Sequence, residues 1–377
     1  MRVRIWSRKR MNRWLCAVAI LLLGAAFLYW PQAVATGVSR GLSLCGGVVI
    51  PSLFVFLVLT GVAVRTGLAA AAGRRLARPV GRLYGLPGAA AAALFVSLVG
   101  GYPAGAAAVR ELLDRDELTV PQARRLLRGC VNAGPAFIIG GVGAGLLGSA
   151  AQGAVLFAAH VLSAAVTGLL CCRGGREADN NAPAHPPRAA VSAAEALVGS
   201  VNAACRSMLH LCGFVVLSAA LLSVADAAGI TAGLRALLAP LSARLGWPET
   251  AASGLLSGLL EVSCGCAEAA ACRAAAPLLL GMILGFGGLS VHGQVAAAVA
   301  GYPLIDRRFF EARIIQALLG GAFSVLLFRV VPLPQPTLAA ADGSTVQWFT
   351  TSVTATAALL SLCGIWLLCL PAARERQ

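Results

Sequence analysis

Apolar residues run along this chain in blocks long enough to cross a bilayer, and the charged residues gather between the blocks. A crossing helix needs roughly 20 apolar residues for a hydrocarbon core of about 30 Å. Eight blocks read as transmembrane helices: 14–30, 42–64, 131–149, 152–171, 199–225, 277–299, 314–331 and 349–370. Two stretches break the pattern. Residues 66–83 place Arg74, Arg75, Arg78 and Arg82 at helical spacing among Ala and Leu, which predicts an amphipathic helix lying at a membrane surface. Residues 229–246 predict a second one, with only Arg235 and Arg244.

Each surface helix leads into an interrupted apolar run, and the two runs share punctuation. Pro79, Gly85 and Pro87 precede a run that stops at Gly100-Gly101-Tyr102-Pro103-Ala-Gly105. Pro240, Gly246 and Pro248 precede one that stops at Glu261-Val-Ser263-Cys264-Gly265-Cys266. Aligned over 23 positions, the two segments share seven identities: both prolines, one glycine, two alanines and two leucines. Paired interruptions in the two halves of a membrane chain point to a transporter's binding site.

Charge placement turns the interruptions into hairpins. Lys and Arg accumulate on cytoplasmic loops. Arg110, Arg115, Arg124, Arg125 and Arg128 follow the first run and would lie outside if 87–109 crossed. If the run enters, turns at Gly100–Gly105 and returns, they stay inside. The run 249–273 is then a second hairpin entering from the outer face. The other basic groups also fall inside, with the lone Arg329 at an outer helix end the exception: the amino-terminal tail, the linker after Cys172, Arg307, Arg308 and Arg313 beside Asp306, and Arg374 with Arg376. Both termini are therefore expected in the cytoplasm of a multi-pass protein of the bacterial cell membrane. Ala33-Val-Ala35 resembles a signal cleavage site, so 14–35 reads either as an uncleaved anchor or as a cleaved signal.

The expected fold is an all-α polytopic membrane protein with about eight transmembrane helices and two re-entrant hairpins in an inverted repeat. Its parts are a tail and anchor over 1–40, a first repeat over 41–171 and a cytoplasmic linker over 172–198. A second repeat follows over 199–331, then an external loop, last helix and tail over 332–377. Composition agrees, with 58% hydrophobic and 12% charged residues and mean hydropathy +0.81. The net charge of +15 does not indicate nucleic acid, because the arginines lie in short groups between spans without an aromatic-studded surface.

Non-helical backbone is tolerated at membrane depth only where protein or a water-filled cavity surrounds it. Gly100, Gly101, Tyr102 and Pro103 at the first tip, and Glu261, Ser263 and Gly265 at the second, are therefore candidate substrate contacts. Two spans are interrupted at matching places, which adds Asn132 and Pro135 from the first and Gly288, Ser290, His292 and Gln294 from the second. Asn132, Ser290, His292 and Gln294 supply neutral donors and acceptors suited to an uncharged polar ligand. Glu261, a carboxylate near mid-membrane, could contact solute, bind Na⁺, carry a proton or cap exposed amides. His160 and His210 read as interhelical glue. Cys264, Cys266, Cys272, Glu261 and His292 lack the spacing of known zinc sites, and no Gly-x-Ser-x-Gly, His-Glu-x-x-His or phosphate loop is present. No enzyme activity, catalytic residue, metal or cofactor is expected beyond a coupling Na⁺ or H⁺.

Three motifs, Gly101-Tyr-Pro-Ala-Gly105, Asn132-Ala-Gly-Pro-Ala-Phe-Ile-Ile-Gly140 and Phe286-Gly-Gly-Leu-Ser-Val-His-Gly-Gln294, resemble the sporulation integral membrane proteins of the YlbJ type over roughly residues 40–330. That family carries paired nucleoside-recognition or Gate domains similar to parts of concentrative nucleoside transporters. The resemblance implies a role in endospore formation around cortex assembly, and a small polar, possibly nucleoside-like, solute. The first tip has Gly100 where the second has Glu261, so the two tips differ in chemistry. The alternative is a non-transporting scaffold of a sporulation complex. Expected partners are the lipid bilayer and a small polar solute, with a homo-oligomer or a sporulation membrane complex left open.

A reporter fused near Arg115 tests the hairpin directly. A cytoplasmic signal is expected; an external one would make 87–109 a full span and remove the inverted repeat.

Overall fold

All regular structure among the described residues is helical, and glycine marks several of the helix ends, as at Gly85, Gly101 and Gly287. The computed structural model describes residues 2–172 and 192–331, except 245, 273 and 274. The first half comprises α1 (Arg2–Tyr29), α2 (Pro31–Leu44), a π-helical turn (Cys45–Val49), α3 (Ile50–Arg65), α4 (Leu68–Tyr84), α5 (Ala90–Gly100), α6 (Tyr102–Asp114), α7 (Val120–Gly129), a π-helix (Ala136–Leu146) and α8 (Ala150–Cys171). The second comprises α9 (Ala193–Ala227), α10 (Ile230–Arg244), α11 (Glu249–Leu260), α12 (Val262–Ala270), α13 (Ala276–Phe286), α14 (Gly288–Ala298) and α15 (Arg307–Val330).

Five helical stretches are long and apolar enough to cross a membrane: Pro31–Arg65, Ala150–Cys171, Ala193–Ala227, Ala276–Ala298 and Arg307–Val330. They contain or closely match five of the eight expected spans. The other three differ. The apolar part of α1 is Ala17–Tyr29, shorter than a crossing. Expected span 131–149 begins with four non-helical residues and continues as an 11-residue π-helix. Expected span 349–370, the external loop before it and the linker after Cys172 lie outside the described residues. Residue 41 falls inside α2, and α9 starts before residue 199.

The shared punctuation has a matching structural role in the two halves. Pro79 and Pro240 lie inside α4 and α10, and Gly85 and Gly246, with φ of 63° and 65°, follow those helices in left-handed conformation. Such a residue ends a helix by a local turn of the chain. Pro87 and Pro248 then precede α5 and α11.

Helices pack through small residues. A Cβ on Gly281 of α13 would lie 2.3 Å from the Gly320 carbonyl oxygen of α15, and one on Gly37 of α2 would lie 2.6 Å from the Ala219 oxygen of α9. Between membrane helices there is no hydrophobic driving force, so close backbone approach carries the association. The core holds Leu126, Leu127, Ile138, Leu156, Leu279 and Leu284, all fully buried. Leu209, Leu237, Ile314, Leu318 and Leu326 are exposed, the expected pattern of a protein whose outer solvent is lipid.

The α13–α15 contact makes a prediction. Gly281→Ala should overpack it at a cost of about 1–3 kcal/mol, read as a lower melting midpoint of the purified protein. Gly213→Ala, where an added Cβ meets nothing within 4 Å, should leave the midpoint unchanged. Equal behaviour of the two variants would contradict this packing.

Candidate functional site

Four interruptions of helical backbone meet in the interior. The first is Gly101 (φ 85°, ψ −174°), between α5 and α6. Side-chain-bearing residues rarely adopt that backbone, and Pro103 in the next turn has no amide to donate. The second is the non-helical stretch 131–134, before the π-helix. The third is Glu261 (φ −146°, ψ 128°), between α11 and α12. The fourth is Gly287 (φ 88°) with Gly288 (φ 77°), between α13 and α14.

The interruptions pack in pairs. A Cβ on Gly134 would lie 2.9 Å from the Val99 oxygen and 3.3 Å from the Gly101 nitrogen. One on Gly288 would lie 2.9 Å from the Gly258 oxygen and 3.3 Å from the Glu261 nitrogen. Tyr102 joins the pairs. Its hydroxyl donates to the Leu284 carbonyl at 2.7 Å, an acceptor that the break at Gly287 deprives of its usual partner four residues on.

Buried side chains satisfy the broken backbone around 131–134. Arg313, fully buried on α15, donates through Nη1 to the Val131 oxygen at 2.5 Å and through Nη2 to the Arg128 oxygen, with its guanidinium 5.8 Å from the Phe309 ring centre. The Ala133 amide donates to His160 Nε2 at 3.1 Å, which requires that nitrogen to be unprotonated. Asn132 Nδ2 donates to Ser97 Oγ at 2.9 Å and to the Gly129 oxygen at 2.8 Å, while its Oδ1 accepts from Gln316 Nε2 at 2.9 Å. At the third interruption Glu261, 2% exposed, accepts the Cys264 amide through Oε2 at 2.8 Å and so caps α12. At the fourth, His292 Nε2 lies 3.0 Å from the Phe286 oxygen, and the ring stands edge-on to Phe286, Phe309 and Phe310.

The structure thus brings Gly101, Tyr102, Asn132, Glu261, Gly288 and His292 to these interruptions, with Gly100, Pro103, Pro135, Ser263 and Ser290 directly beside them. Gly265 packs α12 on α11: a Cβ there would lie 2.2 Å from the Gly258 Cα. Gln294 is half-buried and takes no part in the hydrogen-bond networks among the described residues. Ser97, Arg313 and Gln316 belong to the site although the sequence did not single them out. Arg313 and Arg128 were expected as solvated topology signals. Instead Arg313 is fully buried, and Arg128, 6% exposed, pairs with Asp306 at 2.8 Å and donates to the Cys171 oxygen. A carbonyl-rich break needs donors, and a guanidinium supplies five.

Several polar atoms at the interruptions are buried and have no hydrogen-bond partner among the described residues: Ser263 Oγ, Ser290 Oγ, Gln316 Oε1 and His292 Nδ1. Buried polar groups are normally satisfied, so such atoms suit a water or a polar solute. A cavity of about 330 Å³ adjoins the second tip, where Cys264 and Ala267 face Arg40, Leu44, Gly145 and Ala219. Glu268, half-buried nearby, pairs with Arg40 at 3.1 Å and accepts from Ser257 at 2.8 Å.

A further set of bonds links α6 and α7 to the α14–α15 connection. Arg110 donates to the Ala298 and Ala300 oxygens, Arg124 to the Pro303 oxygen and Tyr302 to Asp114 at 2.7 Å. The Tyr302 hydrogen bond, aided by Arg110, holds the Asp114 carboxyl below the usual carboxylate range. Among the described residues no three His, Cys, Asp or Glu side chains form a group that could hold a metal ion.

No family model matches the chain. Over 341 residues it is 26% identical to the sporulation integral membrane protein YlbJ of Bacillus subtilis (strain 168), covering 85% of this chain and 84% of that protein. The resemblance seen in three motifs therefore extends over most of both chains. The fold is that of CNTnw. A variant of CNTnw in the intermediate 3 state matches with TM-score 0.51 and 14% identity over 86% of each chain, and CNTnw in an inward-facing substrate-bound state with TM-score 0.51 and 15% identity over 84% of each.

Removal of Arg313 tests the interior network. Arg313→Met leaves two buried carbonyls without donors, at about 1–3 kcal/mol each, and should lower the melting midpoint clearly. Arg307→Met, at a side chain 93% exposed, should not. An unchanged midpoint in Arg313→Met would contradict the network.

Proposed function

We propose that this chain is a secondary transporter or permease of a small, uncharged polar solute, acting in the bacterial membrane during spore formation. The observation that carries the reading is the meeting of four helix interruptions around Tyr102, with polar atoms of Ser263, Ser290 and Gln316 beside them that have no partner among the described residues. Irregular backbone at membrane depth belongs where a cavity is lined, and paired broken helices are how many transporters build a midplane site. Similarity to YlbJ supports the sporulation setting, with cortex formation as the process served. The CNTnw fold, which includes a substrate-bound form, supports transport and makes a nucleoside-like solute one candidate.

In this reading the membrane contains eight crossings and two re-entrant hairpins in an inverted repeat, with both termini cytoplasmic. The helices of each hairpin, 11 and 13 residues in α5 and α6, 12 and 9 in α11 and α12, are each about half the length of a crossing and pack on one another. Gly100 to Pro103, Asn132, Pro135, Glu261, Ser263, Gly265, Gly288, Ser290, His292 and Gln294 surround the solute path. Glu261 is the one fully buried carboxylate among the described residues, which makes it the group to couple Na⁺ or H⁺.

A second reading, a non-transporting scaffold of a sporulation membrane complex, is favoured by two observations. Glu261 caps α12, and Asn132 has its amide fully engaged by protein. Glu261→Gln separates the readings, because the amide oxygen can still accept the Cys264 amide while the charge is gone. Transport predicts that flux and heat-resistant spore counts fall by at least an order of magnitude at normal protein level. Normal spore counts at normal protein level would overturn transport and leave the scaffold.

A further inference from the structure

We propose that the cleft where α7, the C-terminal end of α8 and the first turns of α15 meet binds the phosphate headgroup of an anionic phospholipid. This site is separate from the helix interruptions and holds whether or not the protein transports. The cleft has a volume of about 800 Å³, and Arg124, Arg125, Arg128 and Arg308 line it with two carboxylates, Asp306 and Glu311.

The carboxylates are already committed. Asp306 caps α15 through the Phe309 amide at 2.8 Å and takes Arg128 at 2.8 Å, and Glu311 takes Arg307 at 2.8 Å. Arg124, although its Nε also lies 4.0 Å from Asp306, and Arg308 keep capacity. Arg128 is held in place, its side chain 7% exposed, by Asp306 and the Cys171 oxygen. Arg124 is anchored through Nε and Nη2 on the Pro303 oxygen, and its Nη1 makes no hydrogen bond among the described residues. Arg308 is exposed and makes no ion pair or hydrogen bond among them. Several planar forks, partly fixed in advance, fit a phosphodiester better than point charges would.

The rest of the lining decides what carries the phosphate. Leu170 and Ile315 lie in the wall of the same cleft. Leu170, Ile314 and Leu318 continue it as exposed apolar surface along α8 and α15, at 62%, 53% and 59% exposure. A basic pocket opening onto a lipid-facing strip suits a molecule with an anionic head and acyl chains; basic pockets between membrane helices take such headgroups. A soluble phosphate compound would use only the basic half.

The test uses the full chain purified in neutral detergent with added phosphatidylcholine or phosphatidylglycerol, read by melting midpoint. Phosphatidylglycerol should raise the midpoint by several degrees over phosphatidylcholine. Arg308→Gln should remove most of that rise and the Arg124→Gln, Arg308→Gln double variant all of it, while Arg78→Gln on α4 keeps it. Arg308→Gln alone decides if the double variant fails to fold. Equal midpoints in the two lipids would overturn the proposal, as would a rise that survives in Arg308→Gln. An equal loss in Arg78→Gln would show only diffuse attraction to basic surface. The same rise with inorganic phosphate at millimolar concentration would assign the cleft to a soluble phosphate compound instead.

Discussion

A backbone amide or carbonyl left unpaired in an apolar interior costs several kcal/mol, and this chain breaks its helices there four times. Much of what is polar inside the protein answers that cost. Arg313 takes the carbonyls of Val131 and Arg128, His160 the amide of Ala133, Tyr102 the carbonyl of Leu284 and Glu261 the amide of Cys264. Two of these donors reach across the chain: Tyr102 and Leu284 are 182 residues apart, as are Arg313 and Val131. Satisfying the breaks therefore fastens the two halves together. The same bonds that make the interruptions tolerable hold them at one centre.

The two halves share a plan but not a chemistry. Helices α4 and α10 each carry an internal proline and are followed by a left-handed glycine, and each leads to a pair of short helices with a break between. At the first break Gly101 supplies only a turn. At the second, Glu261 supplies both the extended residue and the cap for the next helix. The breaks are also one residue out of register with the sequence alignment, which sets Gly100 opposite Glu261. A repeat that conserves punctuation while its tips diverge can build one pocket with a neutral wall and an acidic wall.

Where the chain breaks was legible from sequence, because glycine and proline act locally and their consequences are visible within a few residues. Gly101, Pro103 and the Gly287–Gly288 pair all mark real helix ends. The Glu261 cap, three residues from its amide, was among the roles read from the sequence, but what answers the other breaks was not legible, because that depends on contacts between distant segments. Arg313 shows the difficulty: it follows Arg307 and Arg308 in a basic group, and charge counting placed it in the cytoplasm, whereas it is fully buried. Gln316, one turn on along the same helix, carried no local signal for its bond to Asn132. The interruption of the span expected over 131–149 was legible at Asn132 and Pro135, but hydropathy does not register that the glycine-rich stretch after Pro135 winds as a π-helix.

The centre still has polar atoms that no group among the described residues satisfies, and a transporter needs such atoms where its solute rests. Equilibrium binding of a panel of uncharged polar solutes, nucleosides included, to the purified chain and to a Ser263→Ala, Ser290→Ala double variant tests this most directly. The account predicts that at least one solute binds the native protein and binds the variant at least an order of magnitude more weakly. Binding of equal strength to both proteins, or no binding of any solute to the native chain, would contradict it.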